Sequence, residues 1–301
     1  MTSRPSIGID LGGTFIKAAI VDSNSGSVLR TVTRPTRDGE WREGVPEFAH
    51  GVLLCVEELE HAAGKKELAV GLSAPGLAAD TGTAIRWMPG RMHGIEGFDW
   101  EHFLDRRVRV LNDAHAAMLG EVWVGAARSV KNAFMLTLGT GVGGAVYADG
   151  RLLKGHIGRA GHLGHISINA DGAVDAFQTP GSLEQAMGNQ TVRQRTGGRF
   201  ETTHALVEAA IAGDSQAILW WGVSLRALAV AVASLVNVLD PEVVVIGGGI
   251  AIGAGDAIIV PLRREIARFE WQPGGCAVRV ELAQAGDWAG AVGAVWNLLH
   301  S

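Results

Sequence analysis

Residues Leu136–Gly155 read LTLGTGVGGAVYADGRLLKG. Within this stretch Gly139, Gly141 and Gly144 satisfy the spacing GxGxxG of a dinucleotide-binding turn. That pattern has physical meaning only between a strand and a helix, because the helix N-terminus is what holds the pyrophosphate. Ala133–Leu138 before it reads as a strand, but the continuation does not read as a helix. The glycine turn Gly139–Gly144 leads into a second strand, Gly144–Ala148, and Asp149-Gly150 turns the chain into Arg151–Lys154. The Rossmann reading fails on this context, and a nicotinamide enzyme fails with it. A hairpin whose glycines let backbone N–H groups face an anion survives.

The same pattern stands near the N-terminus. Ser6–Leu11 and Phe15–Val21 are apolar, β-rich runs joined by Gly12-Gly13-Thr14, and Val28–Thr33 adds a third strand. Strand, glycine turn, strand, turn, strand therefore occurs twice, roughly 125 residues apart, which reads as an internal duplication. Two similar halves, each with a glycine turn at a strand end, predict an α/β protein of two lobes around a cleft. Between and beyond them the chain predicts a helix from Val45 to Ala63 ending at Gly64 and a buried strand Leu68–Ser73. Val108–Leu111 is a strand running through Asn112-Asp113 into a helix, Ala114–Gly125. A long helical region Gln216–Leu239 precedes the buried strand Val243–Ile246, which ends in Gly247-Gly248-Gly249. The last helix is Ala289–Leu299.

Composition narrows the function. The 301 residues are 47% hydrophobic and 19% charged, enough for large cores. A net charge of -5, a pI near 6.1 and no run of Lys or Arg leave no electrostatic footprint for nucleic acid or an anionic membrane. Cys55 and Cys276 lie far apart, without metal or disulfide-framework spacing, which fits a reducing compartment. MTSRPSIGID has no apolar signal region, and the apolar run Ala227–Val236 is shorter than the roughly 20 residues a membrane span needs. A cytoplasmic protein without nucleic-acid or membrane partners is expected. No GxxxxGK[ST] is present, so a P-loop NTPase is excluded. GLSAPG at Gly71–Gly76 has Pro75 where a hydrolase nucleophile elbow needs glycine. The 42 glycines suit tight turns and close backbone approach to ligands.

Five ordered segments, IGIDLGGTFIKAAIVD, LNDAHAAMLGE, LTLGTGVGGAVYADGRLLKG, AGHLGHISI and NVLDPEVVVIGGGIA, resemble the ROK family of sugar kinases over nearly the whole chain. The resemblance implies a two-lobed actin-like (ribonuclease H-like) ATPase fold with a central cleft. The smaller lobe would span residues 1–112 and the larger 113–288, with helix 289–300 packing back on the smaller one. It also implies ATP and Mg²⁺ as cofactors, a small-molecule sugar as substrate, and a homodimer. The first glycine turn begins near residue 10, which leaves no room for the helix-turn-helix of ROK repressors and favours a kinase.

Residue by residue, the resemblance makes Asp113 the base that accepts the sugar hydroxyl proton, and Asn112 a sugar ligand. A helix N-terminus stabilises a carboxylate at that position, so an ordinary or low pKa is expected there; a carboxylate that merely caps the helix is the structural alternative. Asp10, Gly12, Gly13, Thr14 and Lys17 form the first phosphate turn, with Asp10 reaching Mg²⁺ through water. Thr140 and Gly141 form the second. Gly247, Gly248 and Gly249 suit close packing of the adenine ring. Ser73 and Gly76 match a substrate-side turn, and His165 and Glu184 are implied to hold sugar hydroxyls.

Three departures stand out. The family's zinc-binding cysteine places fall on Asp175, Phe177 and Ser182, so no zinc site is expected, and Phe177 packing with Pro180 is expected to hold that loop instead. His162 stands where the family has a sugar-gripping Glu, which changes hydrogen-bond polarity and puts substrate choice in question. Pro89-Gly90 replaces a family Pro-Asn, with Arg91, His93 or Trp87 as candidate substitutes. The expected activity is ATP-dependent phosphorylation of a glucose-like hexose at the 6-hydroxyl. Fructokinase or N-acylhexosamine kinase activity, polyphosphate as donor, and an idle sugar-binding or regulatory protein are the alternatives.

Overall fold

The computed structural model describes residues 5–301, and contacts divide the chain into two units. The first comprises residues up to Ser129 together with Lys154–Ala160 and Gln284–Ser301; the second comprises Val130–Leu153 and Gly161–Ala283.

In the first unit, β1 (Pro5–Leu11), β2 (Phe15–Asp22) and β3 (Val28–Pro35) form an antiparallel meander. The short pair β4 (Trp41–Arg42) and β5 (Val45–Pro46) leads into α1 (Glu47–Ala63). β6 (Val70–Ala74) is followed by the small hairpin β7 (Leu77–Ala78) and β8 (Ile85–Trp87), then by α2 (Trp100–Leu104), β9 (Val108–Asn112) and α3 (Asp113–Val124). β6 and β9 add in parallel to the other side of β1, giving the order β3-β2-β1-β6-β9. β1 is central and alternates: Ile7, Ile9 and Leu11 form its apolar face, and Ser6, Gly8 and Asp10 lie on the other. Ile7, Ile9 and Leu11 share one core with Phe48, Val52 and Leu59 of α1.

The second unit repeats that plan. β10 (Ala133–Leu138), β11 (Val142–Ala148) and β12 (Arg151–Leu152) form the meander, α4 (Leu183–Met187), α5 (Val192–Arg195), α6 (Thr203–Ile211) and α7 (Ser215–Leu239) follow, and then β13 (Val243–Gly247), α8 (Gly249–Ala254), α9 (Asp256–Ile266) and β14 (Arg279–Leu282). The order is β12-β11-β10-β13-β14, with the same alternation of antiparallel and parallel pairs. The duplication seen in the first three strands thus extends through all five. β11 starts two residues earlier than expected, since Val142 already pairs with Leu138, so the glycine turn shrinks to Gly139–Gly141.

Two expectations are corrected. The boundary between lobes does not fall at 112/113, because α3 belongs to the first unit. It is held there by the last helix, α10 (Ala289–His300). A Cβ on Gly293 would stand 1.7 Å from the Ala116 carbonyl oxygen of α3, and one on Gly8 of β1 would stand 2.1 Å from that of Ala291. These glycines serve backbone-to-backbone packing of α10 rather than ligand approach. The apolar run is also longer than the ten residues read from sequence. α7 spans 25 residues with a mean hydropathy of 1.9, long and apolar enough to cross a membrane by length and composition. Reading from Ala227 stopped at Arg226, whereas the helix runs through it. Trp221, Leu225, Leu228 and Val232 of α7 are buried in the core of the second unit, as in the central helix of a globular domain.

Candidate active site

Each unit carries its own constellation of predicted site residues. In the first, β9 ends at Asn112 and α3 begins at Asp113. Asn112 is the cap: its Oδ1 accepts the N–H of Ala114 at 2.9 Å and of His115 at 3.2 Å, and its Nδ2 donates to the Gly76 carbonyl at 3.0 Å. Gly76 therefore works through Asn112. Asn112 is the capping residue, and Asp113 shares the Ala114 N–H with it. Asp113 occupies the first helical position, with Oδ1 accepting the Ala114 N–H at 2.8 Å. The residue is solvent-accessible, yet protein atoms crowd its carboxyl. That desolvation raises its pKa above the ordinary carboxylate value, against the Ala114 N–H, the charge of Arg91 and the Asn112 side chain. The expectation of an ordinary or low pKa is corrected: desolvation outweighs the helix N-terminus.

Asp10 is the penultimate residue of β1, and its Oδ1 accepts the Ser73 hydroxyl at 2.8 Å. Burial raises its pKa, Ser73 opposes this, the charge of Asp113 raises it further and Lys17 lowers it. Ser73 is fully buried and points to Asp10, so it supports that carboxylate. In the turn, Gly12 donates to the Phe15 carbonyl at 3.0 Å and its own carbonyl accepts the Thr36 hydroxyl at 2.6 Å. Gly13 and Thr14 remain exposed. Lys17 donates to the Asp287 carbonyl at 3.4 Å. A guanidinium nitrogen of Arg91 lies 3.6 Å from where a Cβ of Gly13 would stand. Arg91 thus lies near both the Gly12–Thr14 turn and Asp113. Sequence reasoning noticed it only as a stand-in for a sugar contact, because nothing local links residue 91 to residues 13 and 113.

In the second unit, Glu184 lies in the first turn of α4, capped by the Ser182 hydroxyl. Its carboxylate faces the glycine turn: Oε2 accepts the Val142 N–H at 3.0 Å, Oε1 accepts Gln190 Nε2 at 2.9 Å, and a Cβ on Gly141 would stand 2.3 Å from Oε2. Glu184 and Gly141 are brought together, and these two bonds use one lone pair on each carboxylate oxygen. Thr140 is held from behind, its carbonyl accepting the Gln190 N–H at 2.9 Å. Gly247 ends β13, Gly248 packs on Leu138, and Gly249 opens α8. Gly249 borders a recess with about 350 Å³ of empty space, which Asn189, Thr203, His204, Val207, Ile250 and Ala254 complete. A wider concavity beside β3, lined by Arg30, Glu58 and His61, holds none of the predicted site residues.

His162 is half-buried and its carbonyl accepts the His165 N–H at 3.3 Å; the His165 side chain is exposed. Among the described residues no group of three or more His, Cys, Asp or Glu side chains is placed to hold a metal. The loop after His165 is not anchored by Phe177, which is half exposed. Its anchor is the buried carboxylate of Asp175, helped by the Ser167 hydroxyl donating to the Pro180 carbonyl at 2.6 Å.

Two sheets of one shared topology, each with a glycine turn between its first two strands, define the actin-like ATPase class. Residues 6–300 match the ROK family, and the chain belongs to it. It is 31% identical over 283 residues to the glucokinase of Thermotoga maritima, covering 87% of each chain. The ROK hexokinase structure from Thermus thermophilus superposes with a TM-score of 0.83 at 32% identity, over 97% of this chain and 96% of that one. A ROK family glucokinase from Streptomyces griseus, solved in complex with glucose and AMPPNP, gives 0.81 at 27% identity, over 99% and 100%. The protein is a sugar kinase.

Proposed function

We propose that this kinase transfers the γ-phosphoryl group of ATP to the 6-hydroxyl of a glucose-like hexose. The observation that carries the reading is Asp113, set on the first turn of α3 with Asn112 as cap, Arg91 opposite its charge and Asp10 within electrostatic reach. Asp113 accepts the hydroxyl proton and orients the oxygen in line with the phosphorus. In a loose phosphoryl-transfer transition state, that orientation is most of what a base contributes. Arg91 and the Gly12–Thr14 turn receive phosphate charge. Asn112, Glu184, His162 and His165 are the side chains that meet sugar hydroxyls, with one lone pair on each Glu184 oxygen not used by Val142 or Gln190. The recess beside Gly249 takes the adenine ring.

The residues also suit Mg²⁺. Asp10 and Asp113 repel one another, and a divalent cation beside Asp10 relieves that repulsion. Mg²⁺ favours one or two carboxylates, with water and phosphate completing its shell. When bound, the ion neutralises charge on the transferring phosphate.

The test is ADP release from ATP·Mg²⁺ across glucose, mannose, fructose, N-acetylglucosamine and N-acetylmannosamine, with Asp113→Asn in parallel. Turnover on glucose that falls about 10³-fold in the variant is expected. Sugar binding without turnover on any of them overturns the reading in favour of a non-catalytic sugar-binding protein.

A further inference from the structure

The segment between Ser167 and Ser182 has no helix or ladder of its own; isolated bridges pair Ser167 with Ser182 and Val174 with Pro180. Asp175 organises it. Its side chain is 1% exposed, and Oδ1 accepts the backbone N–H of Phe177 at 2.8 Å and of Thr179 at 2.9 Å. The Ser182 hydroxyl, which caps α4, lies beside the same carboxylate. Oδ2 is buried without a hydrogen-bond partner and faces Nδ1 of His165 at 3.8 Å. An unmatched acceptor of this kind is costly, so a donor that can reach it is drawn in. The imidazole is bracketed on a second side by Phe177, ring edge to face at 5.0 Å and 83°. Phe177 is itself tied to Asp175 through its N–H, so one carboxylate governs both neighbours of the ring.

We propose that Asp175 is a positioning residue that accepts the Nδ1–H of His165 and so presents Nε2 as a bare acceptor to a substrate hydroxyl. A neutral imidazole carries one N–H, and the partner of one ring nitrogen decides the role of the other. Closing 3.8 Å to hydrogen-bond length needs about 1 Å of movement by an exposed ring, the kind of tightening that substrate binding brings. The inference rests on the reading of His165 as a sugar ligand.

The experiment is long-range ¹H–¹⁵N correlation of the ¹⁵N-labelled full chain near neutral pH, with and without glucose, together with glucose kinetics. The wild type is expected to show His165 protonated at Nδ1 and bare at Nε2. Asp175→Asn keeps an oxygen for the two backbone N–H groups but turns an amide N–H toward the ring. It is expected to reverse the tautomer to Nε2–H and to raise KM for glucose about tenfold, with kcat changed less than about twofold. A wild-type His165 protonated at Nε2 overturns the proposal, and this spectrum decides even if the variant fails to fold. An unchanged tautomer in a folded variant, or a reversed tautomer with unchanged KM, overturns it as well. An enzyme that neither binds nor turns over glucose while His165 remains Nδ1–H refutes the sugar reading instead, and leaves the Asp175–His165 bond standing.

Discussion

Asp113 sits where a helix N-terminus ordinarily keeps a carboxylate ionised, and the crowding around it reverses that tendency. Two predictions follow from the raised pKa. As the base, Asp113 must be ionised, so the acid limb of kcat/KM on glucose is expected above the ordinary aspartate value of 3.8. Asp113→Asn should abolish that limb in the residual activity. For stability, a raised folded pKa means that the protonated form favours the native state. That contribution is present below the unfolded pKa and is lost as pH rises through the folded one. Asp113→Asn should therefore melt at a higher temperature than wild type near neutral pH, with the gap closing toward about pH 4. Calorimetry across that range checks the sign. Equal melting temperatures at every pH would show that the carboxyl is not desolvated.

At the scale of elements, α3 and α10 are joined by one buried carboxylate. Glu121 is fully buried, and its oxygens accept the N–H of Ala126 at 2.7 Å, of Gln284 at 2.9 and 3.0 Å, and of Ala285 at 2.8 Å. Gln284 and Ala285 lead into α10, so Glu121 sets where that helix begins. Glu121→Ala leaves three N–H groups without their acceptor and should cost on the order of 3 kcal/mol. That corresponds to a fall in Tm of about 5 °C for a chain of this length. Denaturant melts followed by circular dichroism measure it. A loss below about 1 kcal/mol would mean that water replaces the carboxylate. The helices themselves were legible from sequence, because Asn112 before Asp113 and Gly64 after Ala63 are local signals. The link between them was not, since Glu121 and Gln284 are far apart along the chain.

For the whole molecule, the first unit is assembled from three separate stretches of chain, and its sheet is closed by the last one. Ala291, Val292 and Val295 of α10 are buried against Ala19 and Val21 of β2. A chain ending at Ala283 should therefore lose the fold of the first unit, and soluble expression with a cooperative melt would refute this. Without α10, Ala19 and Val21 of β2 lose the helix that buries them, and Gly8 and Gly71 lose the backbone they pack on. The same arrangement gives some glycines a role beside the tight turns and ligand approach that composition suggested: the Gly8 and Gly293 contacts need a missing side chain so that backbones can touch.

The sequence by itself determined the strand–glycine turn–strand pattern, its repetition, the failure of the dinucleotide reading and the placement of Asp113 at a helix start. Each depends on periodicity, turn chemistry or capping within a few residues. Tertiary structure alone decided which polar groups are already committed. Ser73 is taken by Asp10, the Asn112 oxygen by the helix cap, and one lone pair of each Glu184 oxygen by Val142 and Gln190. It also brought Arg91 to Gly13 and Asp113, and set Asp175 beside His165. Hydrogen-bond commitment and desolvation are properties of neighbours supplied by distant segments, and no local pattern encodes them.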